Sequence, residues 1–162
     1  MKEHVMPFRN LGYSGERLFP IQSSEAENIV RIWINNGTSI DRIITVSKDS
    51  IFNEQAELIE IGLTIYGKRK FLTQERKEPI RGIANFLKTL DSLNLFQYDS
   101  QESFSNALHQ PFSLYVIEQK KNGKYKQFSF LTNFPNDNEE ENKYTELEKL
   151  IMDEFQWDFK FK

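Results

Sequence analysis

Glu118-Gln119-Lys120, at the end of a predicted strand, sets a carboxylate and an amine two places apart. Divalent-metal nucleases use this carboxylate-x-lysine spacing: the carboxylate holds the metal and the lysine positions the attacking water. Such a site needs a second, upstream carboxylate, which Asp91 or Asp99 would have to supply. The tripeptide is common by chance, and here it borders a lysine-rich turn that accounts for its charge. A carboxylate-based, metal-dependent hydrolase therefore stands as an alternative rather than the expectation.

The same stretch offers a second chemistry. Lys120, Lys121, Lys124 and Lys126 surround a turn, with Tyr125 among them. Basic groups interleaved with an aromatic ring neutralise phosphates and stack bases. Between Lys68 and Arg81, Lys68, Arg69, Lys70, Arg76, Lys77 and Arg81 outweigh Glu75 and Glu78, a local +4. A nucleic-acid-binding module would use these two segments, 68–81 and 120–126. The plainer reading is that lysines keep a hairpin tip hydrated and unpaired, and a net charge of -3 does not call for a polyanion.

Arg31 and Trp33 make a third set, two residues apart in NIVRIWIN and hence on one face of a strand. A guanidinium beside an indole makes a cation–π contact, and an exposed pair would suit a binding surface. If that face is covered, both become part of the interior. Trp157 belongs with them as an interface-type residue in the tail EFQWDFKFK, where aromatic rings recur at every second position. Most of those rings are expected to pack under the helices.

Other chemistries find little material. The chain has no cysteine, which removes disulfides, thiolate metal sites and cysteine nucleophiles together. Its two histidines, His4 and His109, have no spaced partners. Gly12-Tyr-Ser-Gly15 lacks the strand before and the helix after that a phosphate-cradling loop requires. The acidic run Asp137 to Glu141 lacks the ligand spacing of a calcium loop, and as the first turn of a helix it is already favourable against the helix dipole. No cofactor is expected.

These residues sit on elements that the periodicity outlines. Val30, Ile32 and Ile34 share one strand face, and RIITVSK resumes as a second strand after Asn36-Gly37. ELIEIGLTIY is a third strand with Ile59, Ile61, Leu63 and Ile65 on one face; Gly62, on the other, marks a bulge or a close neighbour. Arg69 to Thr73 extends into a short edge strand. Pro79 then opens a helix with a stripe of Ile80, Ile83, Ala84, Leu87 and Leu90, running to about Leu93. A short helix over Gln101 to His109 follows. FSLYVIEQ and KYKQFSFLTN form a hairpin about Asn122-Gly123. Tyr144, Leu147, Ile151 and Phe155 stripe a last helix, after which the period changes to two and predicts a terminal strand.

Hairpin-linked strands without strict strand–helix alternation imply an α+β fold: a mainly antiparallel sheet of about six strands with two main helices on one face. Residues 1–27 read as an irregular leader laid on the domain and 28–162 as a single α+β domain, a natural size at 162 residues. No stretch of about 18 apolar residues spans a membrane. If Met1 is the native start, the cytoplasm is the expected compartment. The function expected is non-catalytic binding of a macromolecular partner, most of all another protein, in an adaptor, inhibitory or immunity-like role; an apolar pocket lined by Phe residues would reopen a small-molecule ligand as the alternative.

Overall fold

The computed structural model describes residues 18–35, 40–49, 53–63, 69–100, 113–132 and 139–156. In chain order they form β1 (Asn28–Asn35), β2 (Ile40–Lys48), β3 (Glu54–Leu63), β4 (Arg69–Arg76), α1 (Ile83–Leu93), β5 (Ser113–Lys121), β6 (Lys124–Thr132) and α2 (Glu139–Phe155). The strands make one six-stranded sheet in the order β4-β3-β2-β1-β5-β6. Each neighbouring pair is antiparallel, so the fold is the expected α+β sheet with helices. The first four strands step outward to one edge. The chain then returns to set β5 against the other side of β1.

Position in the sheet follows from strand composition. β1 carries Val30, Ile32 and Ile34 on one face and Ile29 and Trp33 on the other, so it is apolar on both sides and lies at the centre. β4 reads RKFLTQER, mostly polar with one apolar residue toward each face, and lies at an edge, where charged residues stay hydrated. The β5–β6 turn is the two-residue Asn122-Gly123, with φ of 50° and 75°. Both positions lie in the left-handed region, where Asn and Gly are the least strained residues.

Both helices contribute to one core, on the face that carries Val30, Ile32, Ile44, Leu58, Tyr115, Ile117, Phe128 and Phe130. α1 lies over β2 and β3, and α2 over β6. Rings bind the layers together. Tyr115 stacks on Phe130 at 5.0 Å, Phe130 on Tyr144 of α2 at 4.9 Å, and Phe86 of α1 meets Phe155 of α2 edge-on at 5.3 Å. Such ring pairs add about 0.5–1.5 kcal/mol each beyond the area they bury.

The first helix begins later than its apolar stripe predicts. Gly82, at φ 84°, is its N-cap, and Pro79 to Arg81 form a turn before it. The buried side chains of α1 are Ile83, Phe86, Leu87 and Leu90, whereas Ile80 is 59% exposed and Ala84 also faces outward. What holds the turn is long-range. The buried carboxylate of Glu154, near the end of α2, takes Arg81 Nε at 2.6 Å and accepts the Arg81 backbone N–H at 3.0 Å. The Ile80 N–H donates to the Glu154 carbonyl at 2.9 Å.

β3 and β4 show the expected edge strand and close approach. β4 continues to Arg76, past Thr73, and its register against β3 slips between Glu60 and Ile61 so that Leu72 is the extra residue. Leu72 folds over Gly62: a Cβ on Gly62 would stand 3.1 Å from Leu72 Cδ1. The Asn36-Gly37 turn, the Gln101–His109 helix and the strand expected over the last residues lie outside the described residues. α2 does end at Phe155, and Gln156 turns the chain at φ 48°.

Candidate functional site

The sheet face opposite the helices carries the first candidates, and it is not open. Arg31 is 1% exposed and Trp33 5%, so the surface on which their binding role depends is absent at these two positions. Trp33 packs with Leu18, Ile43, Ile59, Leu114, Val116 and Leu131. The segment from Leu18 to Glu27, with a 3-10 turn at Ile21–Ser23, lies on this side. Arg31 reaches into it. Its Nη1 donates to the Phe19 carbonyl at 2.7 Å, its Nε to Thr45 Oγ1 at 3.1 Å, and the guanidinium stands 5.2 Å from the centre of the Phe19 ring. Phe19 is thus a cation–π partner of Arg31.

Glu118 sits at the middle of this cluster, 1% exposed and directly opposite Arg31 in the β1–β5 register. Trp33 Nε1 donates to one carboxylate oxygen at 2.8 Å, and the Tyr125 hydroxyl to the other at 2.8 Å. One side chain therefore joins β1, β5 and β6. A carboxylate removed from water needs such donors, since a buried charge without them is costly.

Lys120, two residues on, points the same way but performs a different task. Its ammonium donates to the Gln22 carbonyl at 2.8 Å and the Ser24 carbonyl at 2.6 Å. The Asn122 N–H adds a bond to the Glu27 carbonyl at 3.1 Å. Arg31 and Lys120 thereby pin the segment preceding β1 at two places.

The metal-site arrangement is not made by these residues. Lys121 pairs with Asp91 at 2.6 Å and Lys126 with Asp99 at 3.3 Å. Lys121 and Lys126 point to the helix face while Glu118 points to the opposite one, so the sheet separates Glu118 from both upstream acids. Among the described residues no group of three or more histidines or acids is placed to hold a metal ion.

The basic hairpin is divided in the same way. Lys120 and Tyr125 face the Arg31 side; Lys121, Lys124 and Lys126 face the helix side. Lys120, Lys121 and Lys126 are engaged with groups of this chain, while Lys124 is exposed. In the other basic segment, Arg76 pairs with Glu78 and Arg81 with Glu154. Trp157, His4 and His109 lie outside the described residues.

The two edges of the sheet differ sharply. Along β6, Phe128 to Thr132 are buried, Tyr98 stacks on Phe128 at 5.2 Å, and the Ser129 N–H donates to Ser100 Oγ at 3.0 Å. The segment after α1 thus covers the second half of that edge, while Lys124 and Gln127 in the first half are exposed. Along β4, Lys70 and every residue from Leu72 to Arg76 are exposed, Leu72 at 41%. Among the described residues no strand pairs with its outer side. The side chains of β4 bond inward, Gln74 to Glu57 at 2.6 Å and Thr73 to Glu60 at 3.4 Å.

Sequence reasoning found β4 as an edge strand but stopped it at Thr73, whereas it is exposed on to Arg76. The signal was present: a strand with six polar residues in eight belongs where both faces and one edge meet water. No protein-family model matches the chain, and neither a curated protein nor a solved structure matches it. Among the described residues no helix is long and apolar enough to cross a membrane.

Proposed function

We propose that this is a non-catalytic protein-binding module that works by strand addition along β4. The observation that carries the reading is the contrast between a β6 edge buried from Phe128 to Thr132 and a β4 edge exposed from Leu72 to Arg76. An exposed edge gives main-chain donors and acceptors to an added strand, and the side chains on its two faces select which strand is accepted. The partner surface therefore moves from Arg31 and Trp33, which serve the interior, to the sheet margin.

The test is photo-cross-linking in cells of the source organism. Benzoylphenylalanine replaces Gln74 at the β4 edge in one variant and Lys88, exposed on α1, in another. Covalent polypeptide adducts are expected from position 74 and not from position 88. Adducts from neither position, or equally from both, would overturn the reading.

A further inference from the structure

We infer that the strand accepted by β4 is the β4 of a second copy of this chain, so that two sheets join edge to edge in an antiparallel dimer. This rests on the strand-addition reading above and names its partner.

The argument is one of register and charge. Opposite β3, Lys70, Thr73 and Glu75 align with Gly62, Glu60 and Leu58, and these positions share the helix face of the sheet. Phe71, Gln74 and Arg76 align with Ile61, Ile59 and Glu57 on the other face. The extra residue, Leu72, covers Gly62 and so also lies toward the helix face. The bulge thus shifts the alternation at the middle of the strand.

A bulged strand is a poor template for a regular one, because like faces then match on only one side of the bulge. A second copy related by a two-fold axis perpendicular to the sheet carries the same bulge at the same place. With the axis between Leu72 and Thr73, Leu72 lies opposite Thr73, Phe71 opposite Gln74, and Lys70 opposite Glu75. Every pair then joins like faces. A shift of one or two places sets unlike faces opposite each other somewhere along the strand.

The same register pairs charge with charge. Lys70 meets Glu75 of the second copy, and the symmetry makes the contact twice. Both side chains are exposed, and among the described residues neither is in an ion pair within its own chain. Arg69 falls opposite Arg76 at the ends of the contact, where Arg76 is already paired with Glu78. Charges and a bulge ordinarily protect an edge from indiscriminate pairing. Here they exclude most strands while matching this one, as a specific interface requires.

Contact along a single strand lies at the small end of protein interfaces, so dissociation in the roughly micromolar range is expected. Sedimentation velocity on the full chain, from about 1 to several hundred micromolar, reads it directly. Wild type is expected to shift from monomer to dimer across that range. K70E and E75K each turn both attractive pairs into repulsive ones and are expected to weaken the dimer at least roughly tenfold. Mixing these two variants restores both pairs and is expected to restore dimers, as is the double variant K70E/E75K. Circular dichroism confirms that each variant remains folded.

Wild type that stays monomeric throughout, or a dimer insensitive to both single reversals, would overturn the proposal. If monomeric wild type still cross-links another polypeptide from position 74, the second copy is refuted and strand addition stands. If no adduct forms from position 74 either, both fail.

Discussion

Around its central strands the sheet is buried on both faces, but by different means. On the helix side the layers are held by apolar packing and stacked rings, from Phe86 and Phe155 to Tyr115, Phe130 and Tyr144. On the other side, an apolar patch surrounds a hydrogen-bonded cluster of Arg31, Trp33, Glu118 and Tyr125, and two cations hold an irregular segment by its carbonyls. Packing is non-directional and tolerates rearrangement. The polar cluster depends on each donor meeting its acceptor. A helix satisfies its own backbone, whereas an irregular segment laid on a sheet needs side chains to do so.

The comparison is open to direct attack. The largest loss is expected from Phe86→Ala on the helix side, about 3–5 kcal/mol by chemical denaturation, because it removes a fully buried ring between the two helices. A loss below about 1 kcal/mol would show that the helices do not depend on that ring. Next comes Glu118→Ala, which leaves the Trp33 indole N–H and the Tyr125 hydroxyl without their acceptor. Each buried donor that loses such an acceptor costs about 1–3 kcal/mol, so a total on the order of 3 kcal/mol is expected. Trp33→Phe, which keeps most of the apolar contact, should cost less than Glu118→Ala in the same titration.

Lys120→Met separates the segment before β1 from the sheet it lies on. About 1 kcal/mol of stability is expected to go with the two bonds to the Gln22 and Ser24 carbonyls. The more specific readout is faster amide exchange and proteolysis between Leu18 and Glu27, with β5 and β6 unaffected. Protection unchanged in that segment would mean that Arg31, the Asn122–Glu27 bond and the packing of Leu18 suffice to hold it.

The smallest effect at neutral pH is expected from Tyr115→Phe. Burial, and then the nearby Glu148 carboxylate, raise the pKa of the Tyr115 phenol, and burial followed by Glu146 raises that of Tyr98. The Tyr115 hydroxyl lies close to Glu148 but, among the described residues, within hydrogen-bonding geometry of no group. Both phenols belong to the helix side. Their raised pKa values mean that the folded chain retains protons that the unfolded chain gives up. This contribution is whole below the ordinary phenol value of about 10 and is lost as pH rises above it. Tyr115→Phe should change stability by less than about 1 kcal/mol at pH 7 and lessen the alkaline loss. An unchanged alkaline loss would assign that loss to other groups.

Much of this architecture could be read along the chain. Alternation placed Val30, Ile32 and Ile34 on one face and Arg31 and Trp33 on the other, since successive side chains of a strand point to opposite sides. Asn122-Gly123 announced its turn because few other residues accept that backbone conformation. The start of α1 was harder. Pro79 opens a helix well by local rules, but its turn is held by Glu154, distant in sequence, and the true stripe through Phe86 emerges only when Gly82 is the cap.

The sequence alone thus determined strand parity, helix period and the hairpin, all of which arise from sterics and repeats within a few neighbouring residues. Tertiary structure decided what lay over each face and which edge stayed open. Trp33 and Glu118 are 85 residues apart, and only the return of β5 to the side of β1 brings indole to carboxylate. Parity says that Arg31, Trp33 and Glu118 point away from the helices. Whether they then meet water or other residues depends on the path of segments remote from them, and in this fold that path buries them.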